Sequence, residues 1–250
     1  MNKATSNNLH TKCPSCPLRE NDHFRDFSRG QLQFMSRFKI GELSVEPGAT
    51  ILVEGAHSAH LYTVLSGCAF RYKFLENGRR QILNYAMPGD LVGLQGTLMD
   101  EMQHSVDALT SLRLCIFERE RLWELFRDHP DLAFDVTWIA AREERILDEH
   151  LLSVGQRTAL ERAAYLIAFL CRRASAANLL LRKPHILPLT QSHVADTLGL
   201  SVVHTNKTLK KLAARKLIAW REGGCEVLDV EALGEVAGWD AAAEAARPFI

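Results

Sequence analysis

From position 41 to 118 the chain runs in short apolar segments rich in Val, Leu, Ile, Tyr and Phe, punctuated by turn pairs. The pairs are Pro47-Gly48, Glu54-Gly55, Ser66-Gly67, Asn77-Gly78 and Pro88-Gly89. Many short strands with a turn about every 8–12 residues predict a small antiparallel roll or sandwich. Asn77-Gly78, set between FRYKFLE and RRQILNYA, predicts a hairpin with a type I′ turn. Residues 112–117, LRLCIF, form another strand. Alternation puts Leu112, Leu114 and Ile116 on one face and Cys115 on the other. With the first set turned to the core, Cys115 faces outward, where an N-terminal segment can reach it.

The period then lengthens. Residues 120–128 predict a short helix that ends before Pro130, and a long helix runs from 131 to about 153. Leu132, Ile139 and Ile146 recur every seven residues, with Val136, Glu143 and His150 as the companion row. A seven-residue apolar repeat is a coiled-coil seam, so Leu132, Val136, Ile139 and Ile146 are expected to join two copies of the chain. Half of the seam is polar, so the same helix should also pack on the roll. Gly155 is expected to cap it and act as a hinge. A further helix over about 157–174 carries Leu160, Ala164, Ile167 and Leu170 on one face.

Residues 189–217 predict two helices broken by a tight turn at Leu198-Gly199-Leu200. Thr190 and Ser201 are the expected N-caps. Val194, Ala195 and Leu198 line the first helix, and Val202, Thr205, Leu209 and Leu212 point inward from the second. Val203, His204, Asn206, Lys207, Lys210 and Lys211 are left outward. A helix with amide and basic side chains, set on a helix-turn-helix, is suited to a DNA major groove. Thr190, Gln191 and Ser201 complete the expected DNA-facing set. The segment LIAWREGGCEVLDV predicts a hairpin wing turning at Gly223-Gly224, and Asp229 can cap a last short helix. The Ala-rich tail, ending Arg-Pro-Phe-Ile, carries no recognisable signal.

Charge supports this reading. Lys plus Arg number 30 and so do Asp plus Glu, so the net charge is uninformative. Residues 156–221, however, hold twelve basic side chains and two acidic ones, Glu161 and Asp196. A surplus of ten there and an equal deficit elsewhere predict a nucleic-acid module on an acidic body. At 250 residues and 47% hydrophobic, the chain can bury two modest cores. No apolar run approaches the roughly 20 residues of a membrane span, and the start lacks a secretory apolar stretch. A cytoplasmic protein is expected, with its six cysteines as thiols or ligands. No nucleophile–base set, phosphate loop or His/Glu metal cluster is visible, so no enzyme is expected.

The fold class is thus α+β. The expected segments are 1–28 with two cysteines, a β-roll sensor at 29–118, helices at 119–154 including the dimer helix, a winged helix-turn-helix at 155–229, and a helix and tail at 230–250. In this order they resemble the Crp/Fnr family of bacterial transcription regulators. The motifs are Pro47-Gly48, Glu54-Gly55, LYTVLSG, the Asn-Gly hairpin, PGDLVG and LTQSHVADTLGLS, spread over nearly the whole chain. The resemblance implies a homodimer, a palindromic operator in double-stranded DNA and contact with RNA polymerase.

Members that bind cyclic nucleotide carry Gly-Glu after the Gly-Asp turn and an Arg-Ser or Arg-Thr pair further on. The matching positions here are Gly93-Leu94 and His104-Ser105. Leucine cannot accept a ribose hydrogen bond and a neutral histidine is a poor phosphate clamp, so cyclic AMP is not expected. The Fnr-like branch holds a [4Fe-4S] cluster on three N-terminal cysteines and one strand cysteine. This chain offers Cys13, Cys16 and Cys115, with Asp22 where the remaining cysteine would stand. The leading reading is an oxygen- or redox-responsive regulator with a cluster on these four residues. A Cys13–Cys16 disulfide, a zinc site using Asp22 or His23, heme, a small molecule or gas in the roll, and no ligand at all are the other readings. Cys68, Cys171 and Cys225 are read as structural, and His57 and His60 as incidental. The second helix also departs from the branch, with Val203, Asn206 and Lys207 at its base-reading positions.

Overall fold

The computed structural model describes residues 11–180, 184–240 and 246–250. Eight strands build the roll: β1 (Lys39–Val45), β2 (Thr50–Leu52), β3 (His60–Ser66), β4 (Ala69–Phe74), β5 (Arg80–Ala86), β6 (Leu91–Val92), β7 (Ser105–Ala108) and β8 (Leu112–Glu118). They form two antiparallel four-stranded sheets, ordered β1-β8-β3-β6 and β2-β7-β4-β5. Leu52, Val64, Val92, Met102, Val106, Leu112 and Leu114 fill the space between them. The glycines of all five turn pairs adopt positive φ, which explains glycine at those positions.

The Asn77-Gly78 hairpin differs from expectation in its turn. A type I′ turn needs positive φ at both central residues, and only Gly78 has it, at 80°. Leu75 and Arg79 close a three-residue loop instead, and the Gly78 amide donates to the Leu75 carbonyl at 2.9 Å. Asn77 Oδ1 accepts from the Arg79 amide at 3.2 Å, which stabilises this wider loop.

Helix α1 (Arg29–Phe38) precedes the roll and starts with a reciprocal cap between Ser28 and Gln31. A short helix, α2 (Leu94–Met99), lies between β6 and β7. Helix α3 (Leu122–Asp128) leads into α4 (Pro130–Gln156), whose 27 residues span about 40 Å. Gly155 does not cap it. The Arg157 amide still donates to the Ser153 carbonyl, so the helix runs through the glycine. The break comes from Thr158, which caps α5 (Ala159–Ala176) with Glu161.

The proposed dimer seam is placed differently from expectation. Leu132, Val136 and Ile139 pack with Phe34, Phe38 and Phe117 of their own subunit. Ile146 joins a second cluster with α5. That row is apolar because it serves the subunit's own core.

The C-terminal part contains β9 (Ile186–Leu187), α6 (Gln191–Leu198), α7 (Val202–Ala214), β10 (Ile218–Arg221), β11 (Gly224–Val227) and α8 (Val230–Ala237). The expected wing is present as β10 and β11, and β9 adds a third strand against β11. Two residues flanked by His185 and Pro188 give no alternation, so β9 left no sequence signal. One apolar cluster joins α5, α6 and α7 to Phe70, Tyr72, Ile82 and Tyr85 of the roll. The helical part is therefore docked on β4 and β5.

Candidate nucleic-acid interface and cysteine segment

The helix-turn-helix is built by local bonds. Thr190 Oγ1 accepts from the His193 amide at 3.1 Å, and His193 Nδ1 accepts from the Thr190 amide at 3.3 Å. Gly199, at φ 66°, ends α6 in the left-handed region, and the Leu200 amide returns to the Ala195 carbonyl at 3.1 Å. Ser201 Oγ caps α7 by accepting from the His204 amide at 3.2 Å.

Thr205, Leu209 and Leu212 are buried against α6, as expected. Val202, expected to point inward, is 44% exposed. Val203, His204, Lys207, Lys210 and Lys211 are exposed on the open face. Asn206 is half-buried, with Oδ1 inside and without a hydrogen bond. Thr190 and Ser201 are exposed and Gln191 is half-buried. The open face thus presents three lysines and a histidine, and the helix N-terminus adds positive potential. This arrangement can neutralise phosphates while Lys207 approaches a base edge.

The far side of α6 is held by the roll. Arg80 pairs with Asp196 at 2.8 Å, Gln81 Nε2 donates to the Thr197 carbonyl at 2.9 Å, and the Tyr85 and Thr197 hydroxyls bond at 2.9 Å. The His193 ring lies on Phe70 with centroids 5.3 Å apart.

Cys13 opens a 3-10 turn (Cys13–Ser15) and Cys16 is its C-cap. Residues three apart on such a turn eclipse, and a rise of about 6 Å between Cα atoms suits a disulfide. Cys115 lies in the apolar cluster with Leu18 and Phe34, and Cys16 packs against that cluster. The strand alternation therefore placed Cys115 correctly, on the face opposite Leu112 and Leu114. Burial pushes the Cys115 thiol up to about 12, against the pull of the Lys39 ammonium. Burial also raises Cys16.

Asp22 is exposed. Among the described residues no three His, Cys, Asp or Glu side chains converge as a metal site. Three thiols share one neighbourhood, but as folded they and Asp22 do not fit a four-ligand cluster.

In the roll, Leu94 packs toward the N-terminal cluster. Burial, with Arg71 and Lys73 nearby, pushes His104 down to about 3. A neutral, buried imidazole is not a phosphate clamp, and Met102 occupies the adjacent core.

Sequence reasoning missed the centre of the molecule, Asp90. It pairs with Arg173 of α5 at 2.5 Å, with Arg247 of the tail at 3.0 Å and with Arg142 of α4 at 3.8 Å. Burial opposes its ionisation, but the three guanidiniums prevail and hold its carboxyl below the usual range. The available signal was the acidic residue in the tight turn Pro88-Gly89-Asp90, beside an apolar strand.

Two family descriptions match. The cyclic nucleotide-binding domain covers residues 42–129 and the Crp-like helix-turn-helix domain covers residues 161–236. The nitrogen fixation regulation protein FixK of Bradyrhizobium diazoefficiens is 32% identical over 190 residues, covering 74% of this chain and 78% of that protein. The transcriptional activator protein FnrL of Cereibacter sphaeroides is 29% identical over 237 residues, covering 93% and 94%. The structure of FixK2 from Bradyrhizobium japonicum superposes with a TM-score of 0.69 at 25% identity, covering 81% of this chain and 98% of the other.

Proposed function

Because the chain belongs to the Crp/Fnr family of transcription regulators, we propose that it acts as a cytoplasmic homodimer on a palindromic operator and reports redox state to RNA polymerase. The observation that carries DNA reading is the exposed basic face of α7, with Lys207, Lys210 and Lys211 beside Val203 and His204. Lys207 serves as the base contact and Lys210 and Lys211 as phosphate contacts. Asn206 is positioned to contribute once its half-buried amide turns outward.

The second copy covers a different face of α4 from the buried row. Thr137, Ala140, Glu144, Leu147, Leu151 and Val154 repeat at alternating steps of three and four, and all are exposed. Leu151 is 73% and Leu152 51% exposed, a poor state for leucine in water. This second seven-residue register is a coiled-coil seam left open for a partner helix.

The redox signal enters at the N-terminal segment. Since the residues as folded do not fit a [4Fe-4S] cluster, the reading rests on thiol chemistry. Cys13 and Cys16 give up two protons and two electrons to a peroxide-class oxidant and form one S–S bond. Cys115 lies beneath them and senses the change in packing. Cyclic AMP is not the proposed ligand, given Leu94 and His104.

The test is thiol counting on protein purified without oxygen, before and after hydrogen peroxide, together with iron and sulfide analysis and operator binding. Loss of two thiols, prevented by Cys13→Ser, with a shift in operator affinity is expected. A brown protein with stoichiometric iron and sulfide that loses both in Cys115→Ser would replace the thiol reading with the cluster.

A further inference from the structure

Residues 246–250, which carry no sequence signal, are bonded to both the N-terminal segment and the roll. The Arg25 amide donates to the Arg247 carbonyl at 2.8 Å and the Arg247 amide donates to the His23 carbonyl at 3.0 Å, a parallel bridge between tail and N-terminal segment. Phe249 is buried between Phe24 and Phe27, with ring centroids 5.4 and 4.7 Å away. Ile250 is buried as well, and its carbonyl accepts from Thr63 of β3. The Arg247 guanidinium lies 4.6 Å over the Phe24 ring and donates to the Pro88 and Gly89 carbonyls at 2.9 and 3.1 Å. Gly89 is part of the groove. A Cβ there would come within 2.3 Å of the Phe24 ring, so only glycine admits this approach.

The groove has a floor of roll, a wall of N-terminal segment and an ionic end at Asp90. The ionic end and the wall are bonded to the long helices α4 and α5. Asp90 also holds Arg173 on α5. Asn21, in the wall, donates to the Ala176 carbonyl at the end of α5 at 2.8 Å. Arg25, also in the wall, pairs with Asp135 of α4. The segment that follows Cys13 and Cys16 is therefore tied to both long helices, and the tail clamps it there.

We propose that the Phe24/Phe27/Asp90 groove is a peptide-binding site whose occupant is the chain's own Arg-Pro-Phe-Ile segment, a strap that couples the N-terminal segment to α5 and the DNA-reading helices. This goes beyond the redox reading and stands whatever signal the N-terminal segment receives. The chemistry selects an arginine followed, two residues on, by a large aromatic. The arginine needs a carboxylate and two carbonyls at one end, and the aromatic needs two phenyl faces at the other. Proline between them pre-sets an extended backbone and lowers the entropy lost on docking.

Hydrogen exchange on the full-length protein tests the strap. In Arg247→Ala/Phe249→Ala, exchange should rise by about ten-fold or more over residues 18–27 and at the end of α5, while β4–β5 and α7 stay protected. Specific operator affinity should fall by about ten-fold, within the usual range of coupling between sites. A capped peptide of sequence Ala-Arg-Pro-Phe-Ile should restore protection at millimolar concentration, since a tethered segment acts at roughly that effective concentration. Arg247→Lys, which keeps charge but loses the fork, is the milder variant if the double change folds poorly, and it should give the same pattern at smaller amplitude. Unchanged exchange over 18–27, exchange that rises equally everywhere, or failure of the peptide to restore protection would overturn the strap. Altered exchange with unaltered operator affinity would overturn the coupling. If the protein binds no operator at all, the regulatory reading fails while the exchange and peptide measurements still decide the strap.

Discussion

Asp90 and Lys207 set opposite problems for a single side chain. Asp90 is buried among Arg142, Arg173 and Arg247, where its charge is worth more than at a surface. Asp90→Asn keeps the shape and removes the charge, and should cost about 3–5 kcal/mol in denaturant unfolding. The pH dependence follows from its depressed folded pKa. A carboxylate that ionises more readily when folded stabilises the fold above its unfolded pKa of about 3.9 and loses that contribution as pH falls through the folded value. The stability gap between wild type and Asp90→Asn should hold near neutrality and close in acid, and a constant gap would refute the assignment. Lys207 is exposed and spends nothing on folding. Lys207→Ala should leave stability within about 0.5 kcal/mol and weaken the specific operator by about 1–3 kcal/mol, with relaxed preference at one base position. A selection assay returning the same consensus for both proteins would remove Lys207 from the base contacts.

Helix α4 carries two seven-residue rows, and periodicity alone does not say which faces a partner. Leu132, Val136, Ile139 and Ile146 are the more apolar row and were expected to form the dimer, yet they serve the subunit's own core. The row through Leu147, Leu151 and Val154 remains in solvent. Leu147→Asp with Leu151→Asp should give folded monomers, seen as native circular dichroism with halved mass in sedimentation. Ile139→Asp should instead unfold the chain, because it buries an unpaired charge at a cost of several kcal/mol. An intact dimer in the first variant would exclude this seam. Elements whose signal is local were legible in sequence: the caps at Thr190 and Ser201 depend only on their own side chains and a backbone amide one turn away. Elements decided by distant neighbours were not. Gly155 stayed helical because Thr158 supplied the break, β9 exists only because β11 offers an edge, and the Asn77 loop widened to satisfy Arg79.

Across the whole molecule, the order of roll, long helix and winged helix-turn-helix was readable because each part has its own period. The way the parts are tied together was not, since Asp90, Asn21 and the 246–250 strap act between segments that are remote in sequence. Family membership accounts for the regulator, and the charge partition accounts for how it meets DNA. The surplus of ten positive charges over residues 156–221 sits on the part that carries α7, while the compensating deficit falls mostly on residues 119–155 and 222–250 and leaves the roll nearly neutral. The surplus is confined to one stretch of the chain, so the phosphate contacts come from few side chains, and counting them also counts subunits. Each phosphate contact contributes about 0.9 to the slope of log affinity against log salt. If Lys210 and Lys211 each reach a phosphate, a dimer on a palindromic operator makes four such contacts and a monomer makes two. Lys210→Ala/Lys211→Ala should therefore flatten the slope by about 3.6 in a dimer and about 1.8 in a monomer, on specific and random DNA alike. Leu147→Asp/Leu151→Asp in the same titration should move the change from the larger value to the smaller. An unchanged slope would show that the two lysines do not touch the backbone, and the DNA-facing side of α7 would have to be redrawn around His204 and Lys207.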